Sequence, residues 1–231
     1  MTIFGETINI AVTNERFFRR LGYPADYEPS EYVEELMDSA KEWYKKNGNP
    51  WSGFYEVNVE IEIEKLYFSG VAIDSPKLLK RYKKHTVKKA VIIATTAGEQ
   101  VDEKVRQLWA EDVTDEAFFL DAYSAAYAEA MIATGASIIS KWAKKKGLNA
   151  LSRFSPGYPG WQLEDQHQLM AVISRGNSDR IPIQVLESSL LTPKKSQFSV
   201  IGLYAGEEVR EVEPACVRCS LLDCRCGGIF L

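Results

Sequence analysis

A chain of 231 residues with 45% hydrophobic and 26% charged residues has the material for a sizeable core, and its length suits one large domain or two small ones. Its 32 acidic against 28 basic residues leave a net charge of −4, which offers no footprint for a polyanion and argues against nucleic acid as a partner. No run reaches the roughly 18 to 20 consecutive apolar residues of a bilayer span, and the opening MTIFGETINIAVTNERFF lacks the basic and apolar regions of a signal peptide, so a cytoplasmic protein with no membrane partner is expected.

Along the chain, Asn14 to Leu21 leads into Gly22-Tyr23-Pro24, and Pro29-Ser30 then opens a predicted helix through Tyr44. Ser30 is placed to cap it, with Glu31 and Glu34 in the first turn and Lys41, Lys45 and Lys46 towards the end, an order that complements the helix dipole. Val33, Leu36, Met37, Ala40, Trp43 and Tyr44 give it one apolar face. Tyr55 to Ile63 alternates, with Tyr55, Val57, Val59, Ile61 and Ile63 on one side and Glu56, Asn58, Glu60 and Glu62 on the other, the pattern of a half-buried strand. Ser75 to Tyr82 reads as a short helix, Ala90 to Thr96 as a buried strand ended by Ala97-Gly98, and Glu99 to Leu108 as the next helix. The Ala-rich stretch from Asp115 to Lys146 is apolar on most sides and predicts one or two buried helices, closed by Lys146-Gly147. Leu163 to Ser174 is a further helix candidate, and two strands, Ile183 to Ser188 and Gln197 to Tyr204, flank the turn Thr192 to Ser196.

Strands and helices mix here without a regular βαβ alternation, so the expected class is α+β, built on a mainly antiparallel sheet with packed helices. Candidate boundaries fall near Asn47 to Trp51 and before Pro214, giving a domain over 1–213, helical in its first 50 residues or so, and a cysteine-rich tail over 214–231.

The segment Ser152 to Trp161, SRFSPGYPGW, cannot be regular structure: Pro156 and Pro159 fix φ, while Gly157 and Gly160 open dihedrals closed to other residues. Such a loop suits a ligand with an adenine, a ribose and an amino-acid carboxylate, which Arg153 could clamp in a bidentate way while Tyr158 stacks or hydrogen-bonds and backbone groups read the base. It equally suits a tight helix-to-helix connection whose Tyr158 and Trp161 pack on the core.

Arg153-x-x-x-Gly157-Tyr158, with Pro156 and Pro159 between and after, resembles the R-x-x-P-G-Y-P signature of the cobalamin-dependent methionine synthase activation domain. Asp121-Ala-Tyr123 before it and Glu187-Ser188-x4-Pro193-x2-Ser196 after it follow the family's order, and Thr95-Thr-Ala-Gly98 looks like stand-alone relatives. The resemblance implies an S-adenosylmethionine (AdoMet) site with the carboxylate on Arg153, the adenine on backbone atoms around Ser155 and Gly157, and Tyr158 beside the ligand. The family's acid for the ligand's amino group would fall near Gly135-Ala136, and the nearest acid on that helix is Glu129. It also implies a partner, a corrinoid (cobalamin-binding) protein or split methionine synthase, because no Asp-x-His-x-x-Gly stretch supplies a ligand to cobalt and neither His85 nor His167 supplies one.

All four cysteines lie at the end, as Cys216-x2-Cys219-x4-Cys224-x-Cys226 followed by Gly227-Gly228, and thiolates so spaced suit zinc or an iron–sulfur cluster, the alternative being a tail of free or transiently oxidised thiols. The leading expectation is a protein that presents AdoMet to the cob(II)alamin of a separate corrinoid protein in a methionine synthase-type reaction, with an electron donor and no nucleophile of its own. The alternatives are a non-catalytic regulatory module that binds AdoMet or the corrinoid protein, and a metal-cluster electron carrier.

Overall fold

A computed structural model describes residues 2–4, 10–24, 27–175 and 181–207. Its elements in order are β1 (Thr2–Phe4), α1 (Asn14–Leu21), α2 (Glu31–Asn47), β2 (Trp51–Glu62), β3 (Lys65–Phe68), β4 (Val71–Ile73), α3 (Pro76–Lys84), β5 (Lys89–Thr96), α4 (Glu99–Ala110), α5 (Thr114–Lys145), β6 (Asn149–Ala150), α6 (Asp165–Ile173), β7 (Gln184–Val185), β8 (Leu191–Thr192) and β9 (Ser196–Tyr204). One sheet runs β4-β3-β2-β5-β9-β6, with β1 also on β2, and every pairing is antiparallel. The class is α+β.

Alternation along the central strands sorts two cores. Ala90, Ile92 and Ala94 of β5 face one side with Val57, Phe198 and Val200, and Val91 and Ile93 face the other with Phe54, Ile201 and Leu203. The first side is covered by α3, α6 and the segment after β6, through Leu78, Tyr82, Phe154, Trp161 and Leu169. The second is covered by the C-terminal half of α5, through Ile132, Ile139 and Ala143. A helix of 32 residues is roughly 48 Å long, more than the sheet needs. Its N-terminal half therefore packs on α1, α2 and α4, burying Phe17, Leu36, Met37, Leu108 and Leu120. Tyr44 ties the two layers together, its hydroxyl donating to Ala97 O at 2.8 Å while burial pushes the phenol well above its ordinary pKa.

Several expectations are corrected. Ser30 occupies the cap position of α2 without a side-chain hydrogen bond, whereas Ser75 does cap α3, accepting from Leu78 N. The strand expected from Tyr55 begins at Trp51 and ends at Glu62, so Ile63 stands 92% exposed in the turn rather than on the buried side. That turn and a second at Ser69-Gly70, where φ is 48° and 80°, fold β3 and β4 back as a meander that the sequence reading left out. Ile183 to Ser188 pairs only over Gln184–Val185, as a small hairpin with β8 outside the main sheet. The first 50 residues carry α1 and α2, and also β1, which joins the sheet.

Candidate functional site

The SRFSPGYPGW segment leaves the sheet edge through a change of register. Asn149 pairs with Tyr204 and Ala150 with Leu203, and Leu151 N donates to Gly202 O, yet Phe154 pairs with Val200. Ser152 and Arg153 thus stand opposite the single residue Ile201, the arrangement of a bulge, which bends an edge strand and re-aims its side chains. Phe154 returns to the core. Its ring stacks on Trp161 at 5.7 Å and 14°, takes the edge of Tyr158 at 5.7 Å and 82°, and lies 5.2 Å from Lys77 Nζ.

Beyond Phe154 the loop closes on itself. Tyr158 N donates to Ser155 O, Trp161 N to Tyr158 O and Gly157 N to Trp161 O, at 3.2, 2.9 and 3.0 Å. Gly157 and Gly160 hold φ of 85° and 91°, where a side chain would be strained, and a Cβ on Gly160 would meet Lys77 Cβ at 2.9 Å. Ser155 is 8% exposed, and its hydroxyl contacts that of Ser199 on β9. Arg153 Nη1 donates to Tyr158 Oη at 3.1 Å, so the guanidinium and the phenol of the Arg-x-x-x-Gly-Tyr pattern face each other across the loop, both half-buried.

Two elements anchor this loop from below. Asp165 at the start of α6 accepts from Trp161 Nε1 at 2.7 Å and from Asp74 N at 2.8 Å, and Ser75 Oγ donates to Gly160 O at 2.8 Å. Burial raises the Asp165 carboxyl above its usual range, and the two hydrogen bonds oppose that rise. None of these anchors came from reading the sequence, although Trp161-x3-Asp165 is a spacing that joins side chains across one helical turn.

The structure brings Arg153, Ser155, Gly157 and Tyr158 together. Glu129 sits on α5, which covers the face of the sheet opposite Phe154 and Trp161, and its carboxylate pairs with Arg20 of α1 at 3.0 Å. Cys216, Cys219, Cys224 and Cys226 lie outside the described residues, among which no group of three or more His, Cys, Asp or Glu is placed to hold a metal ion. His167 is exposed on α6, and the ring of His85 packs against Tyr204 at 5.1 Å. A cleft of about 550 Å³ opens at the α4 end of the sheet between Trp51, Gln100, Gln184 and Pro193, and none of the loop's residues lines it.

No family model matches the sequence, and no curated protein matches it in a sequence comparison. Thirteen chains of solved structures match in three dimensions. One of them is a crystal structure of the MetH reactivation domain bound to AdoHcy. It superposes with a TM-score of 0.61 over 84% of this chain and 74% of that one, at 13% sequence identity. This chain is similar in fold to the MetH reactivation domain. At such identity the likeness is one of architecture, and function has to be argued from the site. Among the described residues no helix is long and apolar enough to cross a membrane.

Proposed function

We propose that this protein binds AdoMet at the Arg153 loop and presents it to the cob(II)alamin of a separate corrinoid protein. The observation that carries the proposal is the Arg153–Tyr158 pair, held across a loop closed by its own backbone hydrogen bonds, on a fold shared with a domain solved with AdoHcy. Such contacts would lower the cost of binding, since the guanidinium that would take the ligand's carboxylate is already oriented by Tyr158. Gly157 N is spent inside the loop, so Gly157 contributes a surface without a Cβ rather than a donor, and Ser155, whose O already accepts from Tyr158 N, would read the adenine edge with its remaining backbone capacity alongside other carbonyls of the loop.

The chemistry resides in the substrates. One electron from a donor and the methyl group of AdoMet turn cob(II)alamin into methylcobalamin and release AdoHcy, so the protein need supply only orientation. No side chain acts as a nucleophile or base in this scheme. Glu129 would meet the ligand's ammonium only by sharing its carboxylate with Arg20, or by exchanging one cation for the other.

Calorimetric titration with AdoMet tests the assignment. Arg153→Ala removes a charge-assisted pair and should weaken binding by about 1.5 to 3 kcal/mol. Equal affinity in wild type and variant, or no binding by either, rejects the site. Glu129→Gln, titrated alongside, shows whether that carboxylate reaches the ligand.

A further inference from the structure

Between Lys77 and Lys89 the chain carries seven Lys and Arg residues and no acid. Most of that charge is on α3, whose Leu78 and Tyr82 are buried while Lys77, Lys80 and Lys84 are exposed along one stripe with Arg81 beside them. Within this helix Lys77 and Arg81, and likewise Lys80 and Lys84, are four residues apart, a spacing at which like charges oppose helix formation. Lys77 also stands in the first turn, where the helix dipole disfavours a cation. Arg81, Lys83 and Lys84 stand in the last turn, where the same dipole favours them, so only Lys77 and the two like-charged pairs oppose the helix.

The stripe is continuous with the candidate site. The Lys77 side chain packs on Gly160 and over the Phe154 ring, and Arg81 Nη2 donates to Ser152 Oγ at 2.7 Å. A body that approached the outer face of the loop would meet α3 at the same time.

We infer that α3 is a docking surface for an acidic patch on the protein that carries the methyl acceptor, an inference that rests on the function proposed above and names how that partner is recognised. An extended polyanion fits poorly. Glu64 and Asp74 line the same shallow cleft as Lys80 and Lys83, and would repel a nucleic acid backbone or an anionic membrane laid across it, whereas a folded protein can match a local cationic stripe. Attraction of this kind speeds encounter and weakens with salt.

The test uses the full chain, its Lys80→Glu/Lys84→Glu variant and the milder Lys80→Gln/Lys84→Gln variant. Neither position touches the loop. The probe is a cob(II)alamin-loaded corrinoid protein from the same organism, with binding followed by biolayer interferometry at low and high salt and AdoMet affinity followed separately by calorimetry. Charge reversal should weaken corrinoid-protein binding at least tenfold at low salt and charge removal by less, with AdoMet affinity unchanged in both, and added salt should bring wild type towards the variants. Equal binding of the corrinoid protein by all three chains overturns the inference. So does tighter binding of wild type than of the variants to duplex DNA or phosphatidylserine vesicles, or a salt-sensitive self-association abolished by the reversal, which would give the stripe to a second copy of this chain. A wild type that docks the corrinoid protein but binds no AdoMet would instead reject the proposed function and leave the docking surface standing.

Discussion

Oδ2 of Asp165 accepts from both Trp161 Nε1 and Asp74 N, so one buried oxygen joins the end of the loop, the start of α6 and the turn into α3. Asp165→Ala would leave the buried Trp161 Nε1 without an acceptor and the part-buried Asp74 N to solvent, and should lower unfolding stability in urea by about 1 to 3 kcal/mol. Asp165→Asn keeps an acceptor and should cost much less. The pair also separates by pH. Burial raises the folded carboxyl above the unfolded value near ~4, so the group's contribution to stability is fully present below that value and lost as pH rises through the raised one. The amide does not titrate, so the stability of wild type relative to Asp165→Asn should fall over that window. A constant difference across it would mean that the carboxylate's hydrogen bonds fully offset its burial.

Residue-scale legibility followed chemistry of known geometry. The loop from Ser152 to Trp161 was readable as irregular structure because glycine and proline dictate backbone, as the positive φ of Gly157 and Gly160 shows. Ser199, which meets Ser155, and Asp165 were not, because their partners come from strand register and helix docking, which one sequence does not encode locally.

Among elements, the buried strand β5 was plain in the sequence as a continuous apolar run, and the Ala-rich stretch was plainly helical, with its division into one helix or two left open until the structure showed the single helix α5. The β3–β4 meander was missed because Lys65–Phe68 and Val71–Ile73 are too short to show a period, and their pairing depends on left-handed turn residues at Ser69 and Gly70. Ile183 to Ser188 had strand composition and lacked a neighbouring edge, so all but two of its residues are unpaired with β8. Glycine within β9 has a physical cause. A Cβ on Gly202 would lie 2.7 Å from Tyr82 Cε1 and 3.1 Å from Leu151 Cδ1, so its absence is what lets α3 approach the sheet. Gly202→Ala should therefore destabilise by about 1 to 3 kcal/mol through overpacking, seen as a lower urea midpoint at unchanged slope. The same substitution at Gly22, at the end of α1, meets no atom within 4 Å, and its smaller penalty reports only the positive φ.

The tail is an element of another kind, argued from spacing alone. Four thiolates within eleven residues can collect around one ion or cluster, so protein purified without oxygen should contain either zinc without colour or iron with inorganic sulfide and absorbance near ~400 nm. Metal-free protein with four freely reacting thiols would dismiss the site. Iron would also give the electron that reactivation consumes a place on this chain.

Charge at the scale of the whole molecule is divided. Exposed carboxylates crowd α2 and the start of α5, at Glu31, Glu34, Glu35, Asp38, Asp115 and Glu116, while the cations of α3 lie beside the loop, so a small net charge conceals a strong asymmetry. Under the docking proposed above, such a molecule would turn its loop towards an acidic partner. The proposed function requires that turn, because AdoMet on an edge loop is of use only when cobalt comes to its methyl group, and the sequence has no Asp-x-His-x-x-Gly stretch to supply a ligand to cobalt. This chain alone should therefore retain no cobalamin on gel filtration. Docking has to be reversible, since a reactivating protein must leave before ordinary turnover resumes, and a micromolar dissociation constant, about −8 kcal/mol, meets that need. When this protein, AdoMet, a one-electron reductant and a cob(II)alamin-loaded corrinoid protein are mixed, methylcobalamin should accumulate at a rate that saturates with this protein and collapses with Arg153→Ala. The reductant must be present, because the methyl group reaches cobalt as an electrophile and the acceptor is one electron short. Accumulation at the same rate without this protein would remove it from the reaction, and binding of AdoMet and the corrinoid protein without any methylation would make it a regulatory module that senses one in the presence of the other.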